Sequence, residues 1–238
     1  IEVRAAGINF RDVLNTLGMV PGARDELGAE CSGVVVATGD EVSGLLPGDE
    51  VVALAEDSLA SHVTTAAGMV LHKPGGISFA EAVTVPNAFL TAAVSLVDVA
   101  KLRAGQRVLV HAAAGGVGLA AVRLARRLGA EVIGTAGSSE KRAMVLAEGA
   151  AHVFDSRSAS FADDVMRVTG GAGVDCVLNS LAGELIAAGM RVVRRGGCFV
   201  ESGKQGIWTE AEAAARAPGV RYVVVDVGQE IARDAAPV

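Results

Sequence analysis

The sequence predicts an α/β chain in which a small, mostly antiparallel, barrel-like unit is followed by a doubly wound parallel sheet. Three observations carry the prediction. From Lys101 onward, short β-branched runs alternate with helical patterns, as a parallel sheet with covering helices requires. Ahead of that point, β-like runs follow one another across turn residues, with few helical patterns between them. Where the two regimes meet, residues 108–130 read VLVHAAAGGVGLAAVRLARRLGA: a buried strand, a glycine turn and an amphipathic helix.

Residues 1–5 read as a strand already under way, and a short helical pattern spans 12–17. With no leading methionine or turn, the chain reads as excised from something longer. Strand-like runs at 31–37, 50–54 and 61–65 are separated by Gly39-Asp40, Pro47-Gly48-Asp49 and Glu56-Asp57. A bridge over 78–100 follows, rich in Ala, Val and Leu and punctuated by Pro86, which divides the chain into domains 1–85 and 86–238. Six strands are then expected, at 108–111, 131–136, 152–155, 174–179, 198–202 and 222–226.

The glycine turn is the chemically informative stretch. Val108, Leu109 and Val110 suit a strand buried on both faces, and Ala113-x-Gly115-x-x-Gly118 follows, with alanine in place of the usual first glycine. A pyrophosphate needs backbone N–H groups within reach, so side-chain bulk must be absent. Gly115 and Gly116 allow that approach, Val117 shares the turn, and Gly118 lets the helix pack tightly on the strand. The helix N-terminus adds partial positive charge. Alone, the glycines fit any tight strand-to-helix turn; the flanking strand and helix make this a dinucleotide site. Val117, Ala121, Leu124, Ala125 and Leu128 fall on one helical face, predicted to pack on the sheet, with Arg123, Arg126 and Arg127 largely off it.

Composition excludes other classes. A net charge of -6, with six Phe, one Trp and one Tyr, argues against a nucleic-acid reader built on stacking aromatics. Cys31, Cys176 and Cys198 lack CxxC or metal-ligand spacing and suit reduced, buried thiols of a cytoplasmic protein. No signal peptide opens the chain, and no stretch approaches about 18 uninterrupted apolar residues, so no membrane association is expected. His62, His72, His111 and His152 are scattered without shared spacing and read as structural, though His111 adjoins the phosphate turn.

The order of parts resembles the medium-chain dehydrogenase/reductase superfamily, in which a GroES-like catalytic domain precedes a Rossmann nucleotide-binding domain. AAGINFRDVLNTLGM, HAAAGGVGLAAVRLARRLGA, VDCVLNSLAGE and RRGGCFVESGK narrow the resemblance to the enoylreductase domain of modular type I polyketide synthases, with fatty acid synthases close behind. It runs from residue 3 to about 226. It implies a GroES-like domain truncated at both ends, because the family returns to that domain after the sixth strand. It also implies NADPH as cofactor, an enoyl thioester on an acyl carrier protein as substrate, and neighbouring synthase domains as partners. A freestanding quinone or enone reductase and a non-catalytic structural fragment are the alternatives.

Zinc-dependent relatives carry an early Cys ligand and a GHE motif, whereas this chain reads Gly7-Ile8-Asn9-Phe10 and Gly28-Ala29-Glu30. Both the Cys and the His are gone, so no metal is expected. Reducing a conjugated double bond needs a donor or cation where charge develops on the carbonyl oxygen, and a proton for Cα. Lys204 follows the fifth nucleotide-domain strand and Asp226 ends the sixth, at the carboxyl edge where open α/β sheets place ligands. The resemblance makes them a proton-delivery pair, Asp226 orienting Lys204; a solvated lysine and a capping carboxylate is the plainer reading.

The resemblance also turns Asn9 and Asn179 toward the cofactor, although either residue type commonly just bonds a turn. Many relatives carry, at the position of Val20, a tyrosine associated with 2S products; valine there implies a 2R methyl branch. NADPH is expected over NADH because the second nucleotide-domain strand ends without a carboxylate, while Ser138, Lys141 and Arg142 wait for a 2′-phosphate. Glu140 is the counter-indication.

Overall fold

In the computed structural model, which describes residues 1–19, 27–203 and 206–227, the chain divides into two units, Ile1–Ala88 and Phe89–Val238. The first is built on a four-stranded antiparallel sheet in the order β1-β2-β3-β4, formed by β1 (Glu2–Ala6), β2 (Glu30–Val34), β3 (Glu50–Leu54) and β4 (Val70–His72). Cys31, Ala53, Ala55 and Val63 form its buried core, with Ile1, Val3 and Val70 packed against them. A short helix, α1 (Phe10–Thr16), follows β1. Near the end of the unit, Ser78 and Glu81 cap α2 (Phe79–Ala82) reciprocally, the Ser78 N–H donating to Glu81 Oε2 at 2.8 Å.

The strand expected at 61–65 is reduced to one isolated bridge between Glu2 and His62, and β4 is the fourth strand instead. Only Val63 of that segment is buried, so it has no second apolar side chain to hold a pleated face. The Thr65 hydroxyl donates to Leu54 O at 2.9 Å, tying the chain to the end of β3 outside the ladder.

A helical run leads onward through α3 (Pro86–Ala93), which opens at the proline, and a π-helical turn at Val94–Val99. By length and composition the stretch Phe79–Val99 is apolar enough to cross a membrane. Glu81, Asn87, Ser95 and Asp98 interrupt it.

The second unit follows the alternating pattern. Its parallel sheet runs β10-β9-β8-β5-β6-β7, comprising β5 (Arg107–Val110), β6 (Glu131–Ala136), β7 (His152–Asp155), β8 (Val174–Asn179), β9 (Val193–Glu201) and β10 (Arg221–Val224). The helices α4 (Gly116–Arg127), α5 (Ser139–Ala147), α6 (Phe161–Val168), α7 (Glu184–Arg191) and α8 (Glu210–Arg216) connect them. Strand order reverses between β5 and β8, which opens a crevice at their carboxyl ends. Val108, Leu109 and Val110 are fully buried, as strands covered on both faces require. Leu109, Ile133, Phe161, Val177, Ile186 and Phe199 dominate the core.

Three details depart from the sequence reading. The buried face of α4 is Gly118, Ala121, Val122 and Ala125, whereas Leu124 and Leu128 are only half-buried. Small residues at i, i+3, i+4 and i+7 let the helix axis come close to the sheet, with the two leucines at the margin of that contact. β9 begins at Val193, not 198, because its register with β8 shifts between Val174 and Cys176 and absorbs the extra residues. β10 ends at Val224, which leaves Asp226 two residues beyond the strand.

Candidate nucleotide and active site

After β5 the chain turns sharply at Ala112, whose φ of 47° lies in the left-handed region seldom used by residues with a side chain. Gly115 N–H donates to Ala112 O at 2.8 Å to close the turn, and the Gly115 carbonyl takes the first helical bond from Leu119 N–H at 2.8 Å. The N–H groups of Gly116, Val117 and Gly118 therefore lie ahead of that first bond, at the positive end of a twelve-residue helix. The glycines divide the labour. A Cβ on Gly118 would lie 2.4 Å from Ala112 O and 2.6 Å from Ala113 Cα, so close helix–strand packing demands glycine there. A Cβ on Gly116 would meet nothing within 4 Å. The space over Gly116 is thus open, as a phosphate lying against the turn needs.

Past β6, Ser138 caps α5 and its Oγ accepts from Lys141 N–H at 3.3 Å. Lys141 is exposed, while Arg142 folds back so that Nη1 donates to Ala136 O at 3.2 Å and lies 3.8 Å from Asp155. Its own N–H and the Ser138 and Ser139 hydroxyls lower the pKa of Glu140, which stays anionic on the exposed first turn. A further cation, not singled out from the sequence, completes the group: the Arg157 guanidinium lies over Gly137, where a Cβ would be 3.1 Å from Nε and 3.4 Å from Nη2. Arg157 follows β7, the neighbour of β6 in the sheet. A cation just past the carboxyl end of the adjacent strand was the available signal.

Asn179 ends β8 fully buried. Its Nδ2 donates to Leu181 O at 2.9 Å and to Glu201 Oε2 at 2.7 Å, and its Oδ1 accepts from Leu181 N–H at 3.2 Å. Its backbone carbonyl accepts from the Ser202 N–H at 2.9 Å and the Ser202 hydroxyl at 2.7 Å. Asp226, half-buried, sits at this same carboxyl edge beyond β10. Lys204 and Val20 lie outside the described residues. Gly115 to Gly118, Ser138, Arg142 and Asn179 thus share one sheet edge around the β5/β8 crevice.

His111 sits beneath the turn. Its ring packs edge-on against Phe161 with centroids 4.8 Å apart, Nδ1 lies 2.9 Å from Thr135 Oγ1, and Nε2 has no hydrogen-bond partner among the described residues. Burial pushes its pKa down to about 3, so the imidazole is neutral and serves as a structural post.

In the first unit, Asn9 precedes α1. Asp12 Oδ2 accepts from Asn9 N–H at 2.7 Å and Oδ1 from Gly28 N–H at 2.9 Å. Asn9 Nδ2 donates to Glu30 Oε1 at 3.0 Å, and Glu30 Oε2 accepts from Asn87 N–H at 2.8 Å. Burial raises the Glu30 pKa against these bonds. Among the described residues no group of three or more His, Cys, Asp or Glu side chains gathers as a metal site. Both Glu30 oxygens already accept hydrogen bonds, and Cys31 is packed in the sheet core with its thiol pKa raised by burial. This donor set does not fit the three or four ligands of a zinc site.

Residues 1–96 match the family described as alcohol dehydrogenase GroES-like domain, and residues 116–223 that described as zinc-binding dehydrogenase. The spectinabilin polyketide synthase system protein NorB of Streptomyces orinoci is 49% identical over 230 residues, which cover 95% of this chain and 10% of NorB. The chain spans about a tenth of the length of the curated relatives it matches. Among solved structures, CurK enoyl reductase superposes with a TM-score of 0.94 at 43% identity, covering 98% of this chain and 74% of CurK's. Mycobacterial Rv1454c complexed with NADPH superposes with a TM-score of 0.88 at 29% identity, covering 96% of this chain and 73% of that one. With the doubly wound strand order, two matching family models and 43% identity to CurK enoyl reductase over 74% of that chain, the chain belongs to the medium-chain dehydrogenase/reductase superfamily, in its branch of polyketide synthase enoyl reductases.

Proposed function

We propose that the chain is the enoyl reductase part of a cytoplasmic, multidomain polyketide synthase, reducing a trans-2-enoyl thioester on an acyl carrier protein to the saturated acyl thioester. Residues 1–85 would serve the substrate and 86–238 the cofactor, with neighbouring synthase domains as partners. The observation that carries the cofactor reading is the open space over Gly116, at a helix N-terminus whose Gly118 is pressed against the strand end. When bound, NADPH supplies hydride to the substrate Cβ. The N–H groups of Gly116, Val117 and Gly118 would hold its pyrophosphate. Ser138, Lys141, Arg142 and Arg157 would take the 2′-phosphate, and Asn9 and Asn179 would face the nicotinamide side.

Charge then develops on the thioester carbonyl oxygen. Lys204 would stabilise it and deliver a proton from Nζ to Cα, with Asp226 orienting the ammonium. Val20 has no proton to give, which leaves delivery to the opposite face. The chemistry proposed needs no metal.

The test is NADPH oxidation by the full-length synthase with an enoyl-pantetheine thioester and, separately, with a simple quinone. Consumption of the thioester is expected. Turnover of the quinone alone would move the assignment to a quinone reductase, and turnover of neither would mark a structural domain.

A further inference from the structure

A buried carboxylate, Glu201, stands behind the cofactor edge with no assigned role. It is the last residue of β9, fully buried at the end of the apolar run Cys198-Phe199-Val200. A carboxyl group is more costly to bury than an apolar side chain of that size, so filling space is a poor reason for it. Its bonds point to a better one. Oε2 accepts from Asn179 Nδ2 at 2.7 Å, and Oε1 accepts from Gly203 N–H at 2.7 Å. One oxygen therefore grips the turn after β8 and the other the chain leaving β9.

Each carboxyl oxygen accepts, so each partner must present an N–H to it. That fixes the Asn179 amide, nitrogen toward β9 and oxygen toward Leu181 N–H, and it turns the Gly203 N–H inward. A Cβ on Gly203 would come within 2.7 Å of Glu201 Oε1, so a larger residue there would displace the carboxylate. The cations that suit a 2′-phosphate follow β6 and β7, on one side of the crevice. The other mononucleotide half, bounded by β8 and β9, is left for the nicotinamide end. Glu30 holds the amide nitrogen of Asn9 at 3.0 Å in the same manner.

We propose that Glu201 is a positioning residue for the nicotinamide half of the cofactor site, an acceptor-only pin that pre-orients Asn179 and the chain leaving β9 before the cofactor arrives. The inference rests on the NADPH reading above. Glu201→Gln tests it, because the amide keeps the size but must present an N–H to either Asn179 or Gly203. The full chain is titrated with NADPH and with 2′,5′-ADP, which carries only the adenine half, and its thermal midpoint is recorded.

NADPH affinity should fall roughly tenfold, the worth of one good hydrogen bond, while 2′,5′-ADP affinity stays within about twofold. Equal weakening of both ligands, or of neither, overturns the proposal. Should Glu201→Gln fail to fold, Glu201→Asp keeps the two accepting oxygens but withdraws them by one methylene, and is judged by the same two titrations. If the wild-type chain binds 2′,5′-ADP but not NADPH, the proposal also falls; if it binds neither, the cofactor reading itself fails.

Discussion

Acidification should destabilise this protein through His111, and the size of the effect follows from its surroundings. The imidazole is buried against Phe161 and Thr135, and burial lowers its pKa from 6.5 to about 3. Between those two values the unfolded chain takes up a proton that the folded chain refuses. Stability is therefore fully present above 6.5 and is lost as the pH falls toward 3. Lowering the pH from about 7.5 to about 5.0 removes ~2 kcal/mol by this route, at 1.36 kcal/mol per unit below the unfolded pKa. Glu30 acts in the opposite sense, because burial raises its folded pKa and acid then favours the fold.

The measurement must be differential. Urea unfolding followed by circular dichroism at both pH values, for the wild type and His111→Asn, isolates the histidine, since asparagine retains a partner for Thr135 and does not titrate. The wild type should lose about 2 kcal/mol more than the variant across the interval. A difference below roughly 0.5 kcal/mol, or an imidazole resonance titrating near the ordinary value, would refute the buried neutral histidine.

The two glycines of the turn should separate stability from binding. Gly118→Ala pushes a methyl into backbone and should destabilise the apo fold by about 1–3 kcal/mol, whereas Gly116→Ala should leave the melting point intact and weaken NADPH; the reverse ranking in melts and titrations would count against the assignment. Arg157→Ala should cost NADPH roughly tenfold or more in affinity and leave NADH unchanged, and an equal effect on both would remove Arg157 from the 2′-phosphate site. Lys204→Ala should lower kcat far more than NADPH affinity, with a smaller effect of the same kind from Asp226→Ala; near-normal turnover in the full-length Lys204→Ala enzyme rules out proton delivery from that residue. With valine at position 20, reduction of an α-methyl enoyl thioester should give the 2R product, and chiral analysis showing mainly 2S would overturn that role.

Much of the architecture was legible because it is written in short-range periodicity. β-branched runs separated by helical patterns dictate a parallel sheet, and Gly115-Gly116-Val117-Gly118 between strand and helix dictates a tight strand-to-helix turn, since each depends only on neighbours a few residues away. The expectation of no zinc came from the resemblance instead, since the family's Cys and His ligand positions read Gly7-Ile8-Asn9-Phe10 and Gly28-Ala29-Glu30 here. Tertiary structure decided whatever depends on which strand lies beside which. Arg157 reaches Gly137 because β7 pairs with β6, and Glu201 grips Asn179 because β9 pairs with β8, across 22 residues of chain. That Gly118 makes a close contact of α4 with the strand end, while Leu124 and Leu128 stay half-buried, reflects how near Ala112 and Ala113 lie to it, a steric limit that helical periodicity does not contain. Local patterns determine which elements form; the distances at which they finally pack determine which side chains meet at the site.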